Sequence, residues 1–247
     1  MTDLKKYQFN LPSSGVPATG GFTGWGRAAA AAPVPAAAPP ARPSAMGDNE
    51  ALPADAGQCV ARGNAWLQDG RAEDAIRAYD RAIALDPNAL EPHFNRGNAL
   101  LRLQRQPEAL AAFERSIALA PELAIAHYNR ATLLGAAGRG AEAAQGYERA
   151  LALDPALMQA RFNLGAWHQE QGRLDQALEC MDQVIAQAPN VAQAHLGRGT
   201  ALLKMKRVAE AVQSFDRALA LQPRYPEALS NRGSARRQLQ ARARLQT

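Results

Sequence analysis

The sequence predicts an all-α fold of the solenoid class, and three observations support this prediction. Prolines recur at intervals of 34 residues, at Pro87, Pro121, Pro155, Pro189 and Pro223. Small and large apolar residues recur in the same phase, and their spacing fits helices rather than strands. Repeats of roughly 20 to 50 residues cannot bury their apolar faces alone, so they stack on their neighbours. Such a stack exposes a long surface, which favours binding over catalysis.

The first segment, residues 1–52, is rich in alanine, proline and glycine, a composition that buries too little apolar area to offset chain entropy. The sequence therefore predicts a disordered tail. Two aromatic islands, Lys5–Phe9 and Gly21–Trp25, are candidates for a second contact with a protein partner, and solvated rings without a role are the alternative. The segment has no apolar run of signal-peptide or membrane-spanning length. We therefore expect a cytoplasmic location and no insertion into a membrane.

The second segment, residues 53–247, contains the repeats. With each proline set at position 32 of a unit, units start at Ala56, Leu90, Ala124, Met158 and Ala192, and a polar capping helix follows from about Pro226. Position 8 is small and position 24 is large in every full unit, as at Gly97 and Phe113. Each unit is therefore predicted to be a hairpin of two helices, helix A and helix B, packed through these positions.

The turn inside each hairpin is predicted at position 15. Gly70, Gly138 and Gly172 stand there and can adopt the left-handed conformation that ends helix A. Gln104 and Lys206 occupy the same position in the second and fifth units. If they adopt that conformation, each costs roughly 1 kcal/mol relative to glycine.

This pattern, over about residues 54–239, resembles the tetratricopeptide repeat family, whose units are helix-turn-helix repeats of this length. The resemblance implies a right-handed α-solenoid that acts as a non-enzymatic scaffold for another protein and needs no cofactor. The chain departs from the family pattern at position 4, which holds His93, His127 and His195, and at position 7, which is arginine in five units. Position 25 is acidic in every full unit, so we expect ion pairs between repeats.

The resemblance also places helix A on an inner, concave wall, where positions 5, 6 and 9 meet a ligand. Helical spacing independently puts these positions on one stripe. The expected peptide-binding residues are Phe94, Asn95, Asn98, Tyr128, Asn129, Phe162, Asn163 and Asn231. Carboxamides donate and accept, so this row resembles the asparagine ladder of protein O-linked N-acetylglucosamine transferases. Bonds between repeats are the alternative role for the same amides.

Other kinds of site are not expected. The net charge is +5, but the excess lies near the C-terminus and acids alternate with arginines in the repeats, which argues against nucleic-acid binding. Helices packed about 8 to 10 Å apart hold successive position-4 histidines too far apart to share a metal, so we expect packing roles for them. The basic clamp that grips a carboxylate in some co-chaperones is absent, because its places hold Val60, Ile125 and Asn129. No catalytic grouping or phosphate loop is present.

Two further functions stay open at the level of sequence. The chain is a candidate recruiting subunit of a glycosyltransferase system, because such arrays often precede that catalytic domain. It is also a candidate assembly factor of a bacterial secretion, pilus or polysaccharide-export apparatus, with the aromatic tail as a second docking element.

Overall fold

The computed structural model describes residues 52–244, and every regular element in that range is an α-helix. The predicted tail, apart from its last residue Leu52, and both aromatic islands lie outside the described residues. Contacts divide the described chain into two compact units, residues 52–139 and residues 140–244. The predicted all-α class, built from helix-turn-helix repeats, is confirmed.

The first unit contains five helices. They are α1 (Ala56–Gln68), α2 (Ala72–Leu85), α3 (Leu90–Arg102), α4 (Gln106–Leu119) and α5 (Ala124–Ala136). Helices α1 and α2 form one hairpin, α3 and α4 form the next, and α5 packs on α4. The first residues of α1, α3 and α5 are the unit starts that the proline spacing predicted.

The second unit contains six helices. They are α6 (Gly140–Leu153), α7 (Met158–Glu170), α8 (Leu174–Gln187), α9 (Ala192–Lys204), α10 (Val208–Leu221) and α11 (Pro226–Arg244). Helices α7 and α8 form one hairpin, α9 and α10 form another, and α11 packs on α10. Helix α11 buries only Ala228 and Ala235, as expected of a polar capping helix.

The hairpins α1–α2, α3–α4 and α9–α10 close where a large ring from helix B meets a glycine of helix A, and in α7–α8 Met181 takes the place of the ring. A Cβ atom at Gly97 would lie 2.7 Å from the ring of Phe113, and one at Gly199 would lie 2.6 Å from the ring of Phe215. Real Cβ atoms do not approach that closely, so only a hydrogen fits at position 8 in these units. The predicted pairing of small and large positions is confirmed.

The turns at position 15 are left-handed whether or not glycine stands there. The φ angle is 80° at Gly70, 59° at Gln104 and 62° at Lys206. At the first of these turns the N–H of Arg71 donates to the carbonyl of Trp66 at 2.8 Å, the bond that typically closes a helix with a left-handed residue. The two non-glycine residues therefore adopt the conformation predicted for them.

Successive A helices contact one another within each unit. Helix α1 contacts α3, α7 contacts α9, and α9 contacts α11. Within the described units, no contact of that extent joins successive B helices, α2 with α4 or α8 with α10. Successive A helices therefore contact one another more extensively than successive B helices do, and the side that the A helices share is called the inner face. Positions 5, 6 and 9 lie on that side.

Candidate interaction face

Asparagines on the inner face of the first unit bond to one another across repeats. The Asn95 Nδ2 donates to the Asn64 Oδ1 at 2.9 Å, and the Asn129 Nδ2 donates to the Asn98 Oδ1 at 3.3 Å. The Tyr79 hydroxyl donates to the same oxygen of Asn64 at 2.8 Å. An amide at position 6 therefore joins its repeat to position 9 of the preceding one, which is the inter-repeat role left open by the sequence.

These bonds leave little amide surface for a ligand. Asn95 is 4% exposed and Asn129 is 5% exposed, whereas Asn98 is half-buried. A buried amide is stabilising only while its partners remain in place, because an unsatisfied group would carry a desolvation cost. Asn95 and Asn129 therefore hold the repeats together, and Asn98 keeps the exposure that contact with a ligand requires.

The rings predicted on the inner face differ in depth. Phe94 is 1% exposed and packs edge-on against Phe113, with ring centroids 5.7 Å apart. Its ring belongs to the core, so the expectation that Phe94 offers a surface to a ligand does not match its burial. Tyr128, at the same position of the next repeat, is half-buried. Position 5 therefore presents an aromatic surface at Tyr128 and a core residue at Phe94.

The second unit repeats the arrangement with fewer amides. The Asn163 Nδ2 donates to the Tyr147 hydroxyl at 3.3 Å. Phe162 is half-buried and packs against a cluster that includes Met181 and Val184. Asn231 is half-buried on α11. The inner face of this unit therefore offers partly exposed apolar surface at Phe162 beside scattered amides.

Position 4 has a role that the sequence reasoning missed. In five successive repeats its side chain bonds to the carbonyl oxygen of the proline six residues earlier, at 2.6 to 3.2 Å. The pairs are Cys59 with Pro53, His93 with Pro87, His127 with Pro121, Arg161 with Pro155, and His195 with Pro189. The histidines thus anchor the turn that precedes each A helix, in place of the simple packing role expected. A donor side chain recurring six residues after each proline is the signal that could have revealed this bond.

The predicted ion pairs between repeats are present in both units. They join Arg96 to Asp80 at 2.6 Å, Arg130 to Glu114 at 3.1 Å, Arg198 to Asp182 at 2.6 Å, and Arg232 to Asp216 at 3.0 Å. Where position 7 is Leu164 instead, Arg161 bonds to Gln183. All four carboxylates are substantially exposed, so each pair contributes at most about 1 kcal/mol. The ion pairs between neighbouring repeats therefore contribute little to the stability of the array.

The titratable side chains of the described residues lie in structural rather than reactive environments. Burial raises the pKa of the Cys180 thiol to about 11, which leaves it protonated and unreactive near neutral pH. No three His, Cys, Asp or Glu side chains of the described residues converge as metal ligands would. Within residues 52–244, no helix combines the length and the apolar character needed to cross a bilayer.

Comparison with known proteins identifies the repeats. Models described as tetratricopeptide repeats match residues 63–104, 90–123, 168–226 and 198–244, which together exceed half of the chain. No curated protein matches the sequence significantly.

Solved structures of other proteins share this fold. YrrB, described as a TPR protein with an unusual peptide-binding site, is 27% identical, with a TM-score of 0.64 over 71% of this chain and 91% of YrrB. A MamA structure is 25% identical, with a TM-score of 0.61 over 65% of this chain and 94% of that one. MamA from Desulfovibrio magneticus RS-1 is 22% identical, with a TM-score of 0.64 over 70% of this chain and 98% of that one. From its repeats, its helical hairpins and these matches, the chain is a member of the tetratricopeptide repeat family.

Proposed function

We propose that the inner, A-helix faces of this protein bind a peptide or protein segment of a partner. The family and fold support a protein–protein interaction scaffold, and proteins of this class are typically non-catalytic. Binding on the A-helix faces is supported by the partly exposed apolar surface at position 5. This surface is formed by Tyr128 in the first unit and by Phe162 and Leu196 in the second. YrrB, 27% identical, is described as having an unusual peptide-binding site, which supports peptide binding by an array of this fold.

The buried amides are not the main contacts in this proposal. Asn95 and Asn129 serve the inter-repeat bonds, while the more exposed Asn98, Asn163 and Asn231 are available to bond to a peptide backbone. Partly exposed rings beside amides suit a partner segment with apolar side chains on one edge and main-chain polar groups on the other.

The test uses capture of partners from a cell lysate, followed by mass spectrometry. Tyr128→Ala and Phe162→Ala should each lower recovery of a specific partner at least about tenfold, since central aromatic contacts typically carry interface energy. Leu85→Ala is the matched control, because Leu85 is an exposed apolar residue, 38% exposed, on helix B. Equal recovery with all three variants, each folded by circular dichroism, would count against binding on the inner face.

A further inference from the structure

In the first hairpin, helix α2 covers positions 4 and 8 of helix α1. Cys59, at position 4, is fully buried and shares a cluster with Ala82 of α2. A Cβ atom at Gly63, at position 8, would lie 2.5 Å from the Tyr79 ring. A glycine at position 8 of a helix A is therefore the point at which a large side chain of a second helix makes contact.

Helix α11 has the same two positions, and no described helix covers them. Its extensive contacts are with α9 and α10, which precede it in the chain. Leu229, at position 4, is 44% exposed. Gly233, at position 8, has room beside it, because a Cβ atom there would meet only the flexible end of Arg237, at 3.6 Å. Glycine inside a helix is destabilising relative to alanine, and no described residue fills the room that Gly233 leaves.

The same side of α11 is basic where the other A helices are apolar or buried. Position 11 holds a large buried side chain in the five full repeats, namely Trp66, Leu100, Leu134, His168 and Leu202. In α11 it is the exposed Arg236, which shares the carboxylate of Asp216 with Arg232. Arg237 donates to the Ser234 hydroxyl at 3.0 Å and forms no ion pair with a described carboxylate. We call Leu229, Gly233, Arg236 and Arg237 the open face of α11.

We propose that the open face binds an α-helix of a partner protein, antiparallel to α11, with acidic residues in its first turn and an aromatic ring about five residues later. Helices α4 and α10 have this pattern, since Glu108 precedes Phe113 by five residues (113−108) and Glu210 precedes Phe215 by five (215−210). In an antiparallel hairpin the first turn of helix B lies beside the last turns of helix A. On α11 that arrangement puts the acidic turn beside the arginines and the ring at Gly233.

The charge of α11 argues against two other occupants. The helix contains five arginines and one glutamate, so a second copy of α11 would bring like charges together, which is strongly unfavourable in an interface. Helices that lie on a membrane surface bury a broad apolar face, usually with aromatic residues. Helix α11 has no aromatic residue, and Leu229 is its one large apolar side chain in the exposed class. A helix with acidic residues balances the arginines and also covers Leu229.

The open face is separate from the inner face of the same unit. Positions 5, 6 and 9 of α11 are Ser230, Asn231 and Ser234, and helical spacing puts them on a different side from positions 4, 8 and 11. The open face therefore adds a second binding surface to the proposed function and does not depend on the first.

Fluorescence anisotropy with the full-length chain tests the open face. The probe is a labelled, lactam-bridged helical peptide of 14 residues, the length of α10, with glutamates in its first turn and one phenylalanine five residues later. We expect saturable binding of this peptide. Replacing its glutamates by lysine, or its phenylalanine by alanine, should weaken binding about tenfold or more.

Gly233→Ala is the decisive variant of the protein. Its Cβ atom takes the space of the ring, so the affinity for the probe should fall about tenfold. Because Gly233 has room beside it, the variant should fold at least as well as the original chain, and circular dichroism with urea denaturation checks this. Gln238→Ala is the matched control on another side of α11, where Gln238 is exposed, and it should change the affinity less than about twofold.

Charge reversal supplies an independent variant. Arg237→Glu should weaken binding of the glutamate peptide about fivefold or more and should improve binding of the lysine peptide. The probe should bind Phe162→Ala unchanged, because Phe162 belongs to the inner face. Loss of partner recovery with Phe162→Ala and loss of probe binding with Gly233→Ala therefore test the two surfaces separately.

Several results would overturn the helical partner. They include no saturation of the probe up to roughly 0.5 mM protein, equal affinity for the glutamate and lysine peptides, and unchanged affinity in Gly233→Ala. Self-association of the full chain that Gly233→Ala abolishes would instead assign the open face to a second copy. Binding to vesicles of anionic phospholipid that Arg237→Glu abolishes would assign it to a membrane surface.

Discussion

Two buried histidines in the second unit differ in whether a buried ring nitrogen has a hydrogen-bond partner. The Nε2 of His195, which is 8% exposed, bonds to the carbonyl oxygen of Pro189 at 2.9 Å. The Nδ1 of His168, which is 6% exposed, has no hydrogen-bond partner among the described residues. A buried polar atom without a partner carries an uncompensated desolvation cost, whereas a satisfied one contributes a net bond. The same substitution at the two sites should therefore change stability in opposite directions.

His168→Leu should raise the free energy of unfolding by about 1 kcal/mol at pH 7.5, and His195→Leu should lower it by about 1 kcal/mol. Burial, and then the nearby Arg173, lower the pKa of His168 below its usual value of 6.5. As the pH falls below about 6.5 the unfolded chain takes up a proton before the folded chain does, so the native protein loses stability. The advantage of His168→Leu should therefore grow toward pH 5.5. Urea denaturation at both pH values measures these changes, and a shift of the same sign for both variants would contradict this account.

Gln104 and Lys206 place side chains where the backbone is left-handed, at φ angles of 59° and 62°. Glycine avoids the clash of Cβ with the carbonyl in that conformation, so Gln104→Gly and Lys206→Gly should each stabilise the protein by about 1 kcal/mol. Gln145→Gly is the matched control, because Gln145 is an exposed residue inside α6 and its loss should cost about 1 kcal/mol. Thermal or urea denaturation compares the three, and destabilisation by Gln104→Gly would show that its side chain makes a favourable contact.

At the scale of the helices, two glycines at position 8 separate packing from helix propensity. A Cβ at Gly199 would lie 2.6 Å from the Phe215 ring, whereas one at Gly233 would meet only the flexible end of Arg237, at 3.6 Å. Gly199→Ala should therefore destabilise the protein by about 1–3 kcal/mol through overpacking, despite the better helix propensity of alanine. Gly233→Ala should stabilise it by about 0.5–1 kcal/mol. Denaturation of both variants measures the difference, and equal effects would mean that α9 and α10 adjust at no cost.

The sequence predicted the helices better than it predicted the depth of their side chains. The starts of α3 and α9 followed from the prolines, because a proline spaced 34 residues from the next fixes the phase of every repeat. The pairing of Gly97 with Phe113 followed from size alone, since closely packed helices need a small residue opposite a large one. The burial of Phe94 did not follow, because helical spacing gives the direction of a side chain but not how far neighbouring helices cover it. The hydrogen-bond partner of Asn95 did not follow either, because it depends on which polar group of the neighbouring repeat lies within reach.

At the scale of the whole molecule, the described contacts within each unit join helices that are adjacent along the chain or separated by one helix. The first unit has a core around Tyr79 and Phe113, and the second has one around Phe215. In such an array, stability is approximately a sum of the repeats and the interfaces between neighbours. A residue in the first described repeat therefore stabilises the array through its own repeat and through the interface with the next repeat. Leu52, which the sequence assigned to the tail, packs against the core of the first unit.

This placement of Leu52 predicts where the folded array begins. A chain that starts at Leu52 should keep the helical content of residues 52–244 and unfold cooperatively, because the described cores lie within that range. A chain that starts at Ala54 loses Leu52 and also the carbonyl of Pro53, to which the Cys59 thiol donates at 3.2 Å. It should be less stable by about 1–2 kcal/mol, a fall in Tm of a few degrees. The two chains differ only in Leu52 and Pro53, so the comparison isolates the contribution of these two residues. Identical melting of the two chains would move the boundary to the start of α1.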